Sequence, residues 1–203
     1  VVLLQVLRAA FEVAEVIGRR CVLGPVGQQR VDRLDRIVVL AILHQVGIYA
    51  GFPAGVKWAT VAGAPGTEKC ICANGDEGDS GTFADRMLIE GDPGSLLEGM
   101  LIAGYAVGAH TGVVYLRSEY PDAITTLRRA VESARAAGIL GPNVLGSGFA
   151  FDVDVRVGAG AYICGEETSM LESIEGRRGE VRSKPPIPAL RGLFGRPTVV
   201  NNI

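Results

Sequence analysis

The sequence predicts an α/β sandwich built on a largely parallel sheet. Three observations carry that expectation. Short apolar stretches of strand character alternate with segments of helical periodicity over most of the chain. The connections between successive strands are long enough to hold helices, which makes neighbouring strands parallel. Glycine-rich turns punctuate the strand ends, and the chain holds 28 glycines in 203 residues.

Taken in order, the first residues are the least distinct. Helical spacing runs over Val6–Ile17, with Leu7, Ala10, Phe11 and Ala14 on one face, and a second helix is predicted over Val31–His44. Gly51-Phe52-Pro53-Ala54-Gly55 reads as a glycine–proline loop leading into Val56-Lys57-Trp58, and Gly63-Ala64-Pro65-Gly66 as a turn. Lys69–Ala73 reads as a short buried strand that runs into an acidic, glycine-rich loop, Asn74–Thr82. Ser95 and Glu98 have capping-box spacing, which predicts a helix from Leu96 to about Ala109 with Ser95 as its N-cap. That helix is apolar on nearly every side and should lie buried against the sheet. Gly112–Leu116 is the predicted central strand. Pro121 suits a first helical turn; Ile124, Leu127, Val131 and Ala134 recur on one face; Gly138 closes that helix. Phe151–Val157 alternates strictly, the pattern of a half-buried strand ended by Gly158-Ala159-Gly160. Gly165-Glu166-Glu167-Thr168 opens a last helix that ends near Gly176, and Arg177–Ile203, rich in Pro, Gly and Arg, reads mostly as loop.

Composition narrows the function. The chain is 48% hydrophobic and 6% aromatic, ample for a core. With 20 basic and 22 acidic residues and no basic stripe, nucleic acid is a poor partner. The apolar run Ile37–Leu43 is far short of the roughly 18–20 residues that span a bilayer, so no direct membrane insertion is expected. The first residue is Val, without a clear signal-peptide pattern, so the chain is expected to be a soluble piece of a longer protein. Cys21, Cys70, Cys72 and Cys164 fit no zinc or cluster spacing, and a reduced, cytoplasmic setting is the expectation. Cys70 and Cys72 share a strand face, where they read as small buried thiols rather than a pair or a metal site.

Parallel α/β folds collect ligands at the carboxyl ends of their strands. Two predicted loops sit there, Asn74–Thr82 and Gly158–Gly165; both carry glycines, the first contains carboxylates and the second leads directly into Glu166-Glu167. Gly158-x-Gly160-x-x-x-x-Gly165 follows a strand and opens a helix, as a phosphate loop does, but it misses the dinucleotide fingerprint and reads equally as a plain turn. Glu166-Glu167 either complement the helix dipole or accept hydrogen bonds from ribose hydroxyls. Asn74, Asp76, Glu77 and Asp79 have oxygen ligands for a hard cation but lack the length and the terminal Glu of a calcium loop, so no metal is assigned. Lys57 can balance a phosphate or simply be exposed. His44 and His110 lie near no nucleophile. Together these residues point to an anion or nucleotide site.

The segment Asn74-Gly75-Asp76-Glu77-Gly78-Asp79-Ser80-Gly81-Thr82-Phe83-Ala84-Asp85-Arg86 resembles the signature N-A-D-E-x-x-x-G-T-x-x-D-R. Gly158-Ala159-Gly160-Ala161-Tyr162-Ile163-Cys164-Gly165-Glu166-Glu167-Thr168 resembles G-A-G-x-Y-I-C-G-E-E-T. Glu175-Gly176-Arg177-Arg178, Arg182-Ser183-Lys184-Pro185-Pro186 and Pro197-Thr198-Val199-Val200-Asn201-Asn202 continue the likeness in order. These motifs are those of the family of FMN- and NADH-binding subunits of respiratory complex I, which includes the diaphorase subunits of NAD-reducing hydrogenases and the beta subunits of NAD-dependent formate dehydrogenases. Asp79-Ser80 and Met87–Pro93 look most like the formate dehydrogenase type.

The resemblance implies a Rossmann-like FMN- and NAD-binding domain over residues 50–203, preceded by a poorly matching segment over 1–49. It implies that FMN lies against Lys57, Asn74, Asp76, Glu77, Tyr162, Gly165, Glu166, Glu167, Val200, Asn201 and Asn202. It implies that NAD meets Phe52, Asp79, Glu167 and Lys184, with Phe52 stacking on the adenine. Hydride would pass directly between the cofactors, with no catalytic side chain acting on it. The expected partners are a thioredoxin-like 2Fe-2S subunit and a larger iron–sulfur/molybdenum catalytic subunit; a 4Fe-4S cluster is expected only in a full-length subunit. The likeness has gaps. Ile48 and Tyr49 stand where the family has glycines that approach the FMN phosphate, and Thr60 and Ile187 replace aromatics that grip NAD in some relatives. A complex I or hydrogenase subunit, or a non-catalytic piece unable to bind FMN, are the alternatives.

Overall fold

The computed structural model describes residues 54–203. The two helices predicted over Val6–Ile17 and Val31–His44, and Phe52, lie outside the described residues. The described part is a four-stranded sheet of β1 (Cys70–Gly75), β2 (Thr111–Leu116), β3 (Asp152–Val157) and β4 (Thr198–Asn202), in the order β3-β2-β1-β4. Every neighbouring pair is parallel, with Cys70 opposite Thr111 and Thr198, and Thr111 opposite Asp152.

Helices α1 (Ala54–Gly63), α2 (Ala84–Gly91), α3 (Pro93–Val107), α4 (Pro121–Ala136), α5 (Glu167–Ile174) and α6 (Pro188–Arg191) connect or flank the strands. The period-two alternation of the strands sorts the apolar side chains into two layers. Ile71, Ala73, Val114, Leu116, Val153 and Val199 join α1, α3 and α4 in the larger core. Cys70, Cys72, Val113, Tyr115 and Val200 face the other way, against Cys164, Met170 and Leu171. The topology explains this split. From β1 to β3 the chain steps outward through α3 and α4; it then returns past α5 to place β4 on the far side of β1, and right-handed crossovers of opposite direction lie on opposite faces. All three cysteines in the described region are buried and free, as small apolar core residues. Gly104 is required by packing: a Cβ there would collide with the Phe151 ring, which is fully buried.

Several predicted elements stand. The strand predicted over Lys69–Ala73 is β1, which is buried throughout and runs two residues into the predicted loop, through Asn74 and Gly75; β2 is central, and β3 is a half-buried edge strand. Ala123, Ile124, Leu127, Val131 and Ala134 form the buried face of α4, and Gly138 follows it at a φ of 70°.

Four expectations are corrected. Ala54 and Gly55 are not loop but open α1, which carries Lys57. Ser95 is not the N-cap of α3: Asp92 is, accepting from Ser95 N at 3.2 Å, because Pro93 already occupies the first helical position. Helix α2 went unpredicted, since no side chain near its start caps it. Residues 177–203 are not mostly loop. They hold α6 and β4, and Arg182 clasps Glu172 (2.5 Å) and Glu175 (2.9 Å), while Glu175 also accepts from Phe194 N at 2.7 Å. That network gives a proline- and arginine-rich stretch a fixed path to the sheet edge. No helix among the described residues is long and apolar enough to cross a membrane.

Candidate functional site

β1 and β4 are neighbours, yet the chain leaves β1 toward β2 and reaches β4 only after the long return. This reversal opens a crevice at the carboxyl ends of β1 and β4. A cavity of about 590 Å³ lies there, lined by Asn74, Glu77, Asp79 and Thr82 from one loop, Tyr162, Gly165 and Glu166 from the other, and Asn202 from β4. The two loops picked out in the sequence therefore share one cavity.

Side chains stitch the loops together. Asn74, at the end of β1, donates from Nδ2 to Gly165 O at 2.8 Å, and its Oδ1 accepts from Asp76 N at 3.2 Å. Tyr162 donates to Asp79 Oδ1 at 2.8 Å across the rim. Gly78 has no side chain because the Tyr162 ring occupies that space: a Cβ would sit 2.7 Å from Tyr162 Cδ2. The Asp76 carboxylate is buried between the loops, 3.5 Å from a Cβ built at Gly78 and 3.4 Å from one at Gly165. Burial raises its pKa and the Arg117 guanidinium opposes that rise.

Glu166 is the N-cap of α5. Its Oε2 accepts from Thr168 N (2.8 Å), Ser169 N (2.9 Å) and Thr168 Oγ1 (2.5 Å), and its Oε1 from Lys184 Nζ (3.0 Å). Burial works against the charge, but these donors outweigh it and hold the carboxyl at about 2. Lys184 also donates to Glu167 Oε1 at 2.6 Å. Burial lowers the Lys184 pKa, and the two carboxylates more than restore it. Glu166 thus caps the helix, and both glutamates bind a lysine from the following loop.

Lys57 approaches from α1 and donates to Val200 O at 2.6 Å. Burial depresses its pKa, with Glu167 acting in the opposite sense. Val200 is buried in β4. The Asn201 amide, turned so that both ends are satisfied, accepts from Trp58 Nε1 at 3.2 Å and donates to Val200 O at 3.0 Å. Lys57, Asp76, Glu167, Lys184, Val200 and Asn201 are not part of the cavity wall.

Two features escaped the sequence reading. Asp85 lines the cavity with its pKa raised to about 6, by burial first and the Glu77 charge second. Glu77 lies at φ 39°, and its carboxylate accepts from Asp85 N (3.0 Å), Arg86 N (3.3 Å) and Tyr120 OH (3.1 Å), so it caps α2 from outside the helix. The D-R pair of the signature marks Asp85; nothing local in the sequence marks Tyr120. Among the described residues, no three His, Cys, Asp or Glu side chains are grouped to hold a metal ion.

Parallel strands that reverse order beside a cavity lined by both carboxylates and apolar side chains define a nucleotide-cofactor domain of the α/β class. Within that class the chain belongs to the Nuo51 FMN-binding domain family, which matches residues 45–203, so the similarity begins upstream of Ala50. It is 48% identical over 186 residues to an NADH-quinone oxidoreductase subunit of Rhizobium meliloti, covering 92% of this chain and 44% of that protein. It is 51% identical to an NADP-reducing hydrogenase subunit, HndC, of Solidesulfovibrio fructosivorans, over 76% of this chain and 31% of that one. Among solved structures, the NAD+-reducing [NiFe]-hydrogenase in the H2-reduced state superposes with a TM-score of 0.75 at 37% identity, over 83% of this chain and 29% of that chain. The chain spans less than half the length of these curated relatives.

Proposed function

We propose that this domain holds FMN and NAD(H) together for hydride transfer, within a larger subunit that passes the electrons to or from iron–sulfur clusters. The observation that carries the reading is the shared cavity between Asn74–Thr82 and Tyr162–Glu166 at the β1/β4 reversal.

The residues present fit a flavin nucleotide. The cavity volume of about 590 Å³ lies within the roughly 300–1,000 Å³ common for small-molecule sites. Amide, hydroxyl and carboxylate groups share its wall with Ala84, Ile163 and Ile203, a mixture suited to a flat ring with donor and acceptor edges and to a polyol chain. Asn74 uses one amide hydrogen on Gly165 and one oxygen lone pair on Asp76, which leaves one donor and one acceptor for a ligand. The four acids of the wall, Glu77, Asp79, Asp85 and Glu166, disfavour a phosphate there; Lys57, outside the wall, is assigned to balance one. FMN, when bound, supplies two-electron acceptance of hydride and one-electron release.

The side chains then take these roles. Asn74, Asp76, Tyr162, Gly165 and Asn202 frame the ring and its chain, and Val200 and Asn201 hold Lys57 and Trp58 in place beside them. Asp79 on the rim, with Lys184 and Glu167, receives the dinucleotide; Glu166 offers its carboxylate to ribose hydroxyls while fixing α5. Phe52 is assigned to the adenine. No side chain is assigned a proton-transfer step: FMN and NAD(H), if bound together, would exchange the hydride directly, and these residues would hold and orient them.

The finer reading is the NAD-reducing subunit of a formate dehydrogenase, supported by the Asp79-Ser80 and Met87–Pro93 variants of the motifs. Its partners would be a thioredoxin-like 2Fe-2S subunit and an iron–sulfur/molybdenum subunit, in the cytoplasm. Expression of the full-length subunit with measurement of bound flavin and NADH–ferricyanide activity tests the general reading; a folded subunit that binds no FMN at tens of micromolar refutes it. Formate-dependent NAD reduction by the purified complex tests the finer one, and hydrogen- or quinone-dependent turnover in its place would reassign the parent enzyme.

A further inference from the structure

Glu77 is a non-glycine residue held at φ 39° in the wall of the cavity. A backbone in that region persists only where its surroundings over-determine it. The surroundings come from two stretches: the start of α2, whose Asp85 and Arg86 amides hold the carboxylate, and the end of β2 with the turn after it, which holds both carbonyl and carboxylate. Arg117 donates from Nη1 to Glu77 O at 2.7 Å, while its Nη2 is anchored on Glu119 Oε1 at 3.0 Å. Arg117 N points at Gly75 O, 3.4 Å away. The guanidinium lies over the Tyr120 ring at 5.3 Å, and the Tyr120 hydroxyl donates to Glu77 Oε2 at 3.1 Å. Carbonyl and carboxylate of the same residue are thus gripped from the same side.

Arg117 Nε is buried and has no hydrogen-bond partner among the described residues. An arginine serving only a surface ion pair would leave that nitrogen to water, so its burial is a cost accepted for placement. The beneficiary is the turn that follows. Glu77 leads directly to Gly78, against which the Tyr162 ring lies, and to Asp79, which binds the Tyr162 hydroxyl. Arg117 is not part of the cavity wall, and the family motifs carried by the two loops do not include it.

We propose that Arg117, braced by Tyr120 and Glu119, is a positioning residue: it clamps the Glu77 carbonyl and so sets the Glu77–Asp79 turn against which flavin and nicotinamide align. This rests on the flavin reading above. A clamp of this kind governs alignment more than ground-state binding, and small misplacements of reacting groups lower turnover steeply.

The test uses the full-length subunit in its complex, with flavin content, visible circular dichroism of the flavin, and kcat and KM for NADH with ferricyanide. Arg117→Gln is expected to keep its flavin and a KM within about twofold while kcat falls roughly 10-fold or more and the flavin band shifts. Arg117→Lys keeps a charge and an N–H for the Glu77 carbonyl, and is expected to recover most of the loss. An Arg117→Gln enzyme with wild-type kcat, or an Arg117→Lys enzyme as slow as Arg117→Gln, overturns the proposal, as does loss of flavin from both. Should Arg117→Gln fail to fold, Tyr120→Phe decides: a fall of about threefold in kcat at unchanged KM is expected, and no fall overturns it. A folded wild-type subunit without flavin would defeat the flavin reading itself; wild-type flavin with indifferent variants defeats only this one.

Discussion

Replacing Glu166 by Gln removes one negative charge while keeping the shape of the side chain. In the folded protein that carboxylate accepts from two backbone amides of α5, from Thr168 Oγ1 and from Lys184. Its pKa is held at about 2 against an ordinary 4.5. A group whose folded pKa is depressed contributes stability that is full above its unfolded pKa and is lost as pH falls toward the folded one. The shift alone would correspond to about 3 kcal/mol; because the side chain is 30% exposed, screening reduces this to roughly 2 kcal/mol. That agrees with about 1–2 kcal/mol for an N-cap. Urea denaturation of wild type and Glu166→Gln at a series of pH values is the assay. The wild type should be more stable by about 1–2 kcal/mol near pH 7, and the advantage should shrink by more than half by about pH 3. A difference that is constant over this range, or absent near neutrality, would refute the assignment of Glu166 as a charged cap.

Asp85 behaves in the opposite sense. Its folded pKa of about 6 exceeds the ordinary 3.8, so it favours the folded state at low pH and loses that contribution as pH rises through about 6; Asp85→Asn should raise stability by about 1 kcal/mol near pH 7 after screening, and thermal melts should show the gain vanishing below about pH 4. Gly78→Ala places a Cβ 2.7 Å from the Tyr162 ring and must break its bond to Asp79; FMN titration by fluorescence should show about 10-fold weaker binding, and unchanged affinity would detach the rim from the site. Gly104→Ala drives a methyl into the Phe151 ring and should cost about 1–3 kcal/mol in denaturant melts without altering flavin content per folded chain.

The α/β class, β1 to β3, α4 and the two loops were legible from local pattern: the strict alternation of Phe151–Val157, the spacing of Ile124, Leu127, Val131 and Ala134, and glycines at strand ends. These signals are local because a residue's hydrophobicity and backbone preference act over one strand or a few helical turns. The pairing of Asn74–Thr82 with Tyr162–Glu166 in one cavity also followed, since parallel sheets place all strand ends of one kind together.

What tertiary structure alone decided involves partners far apart in the chain. Helix α2 is capped by Glu77, β4 is a strand because Cys70–Asn74 pair with it, and Lys184 is tied to Glu166 and Glu167 across a proline-rich loop. Arg117 reaches back to the Glu77 carbonyl forty residues earlier. Hydrogen bonds and ion pairs depend on distance in space, and no spacing along the sequence encodes which buried donor will meet which strained carbonyl.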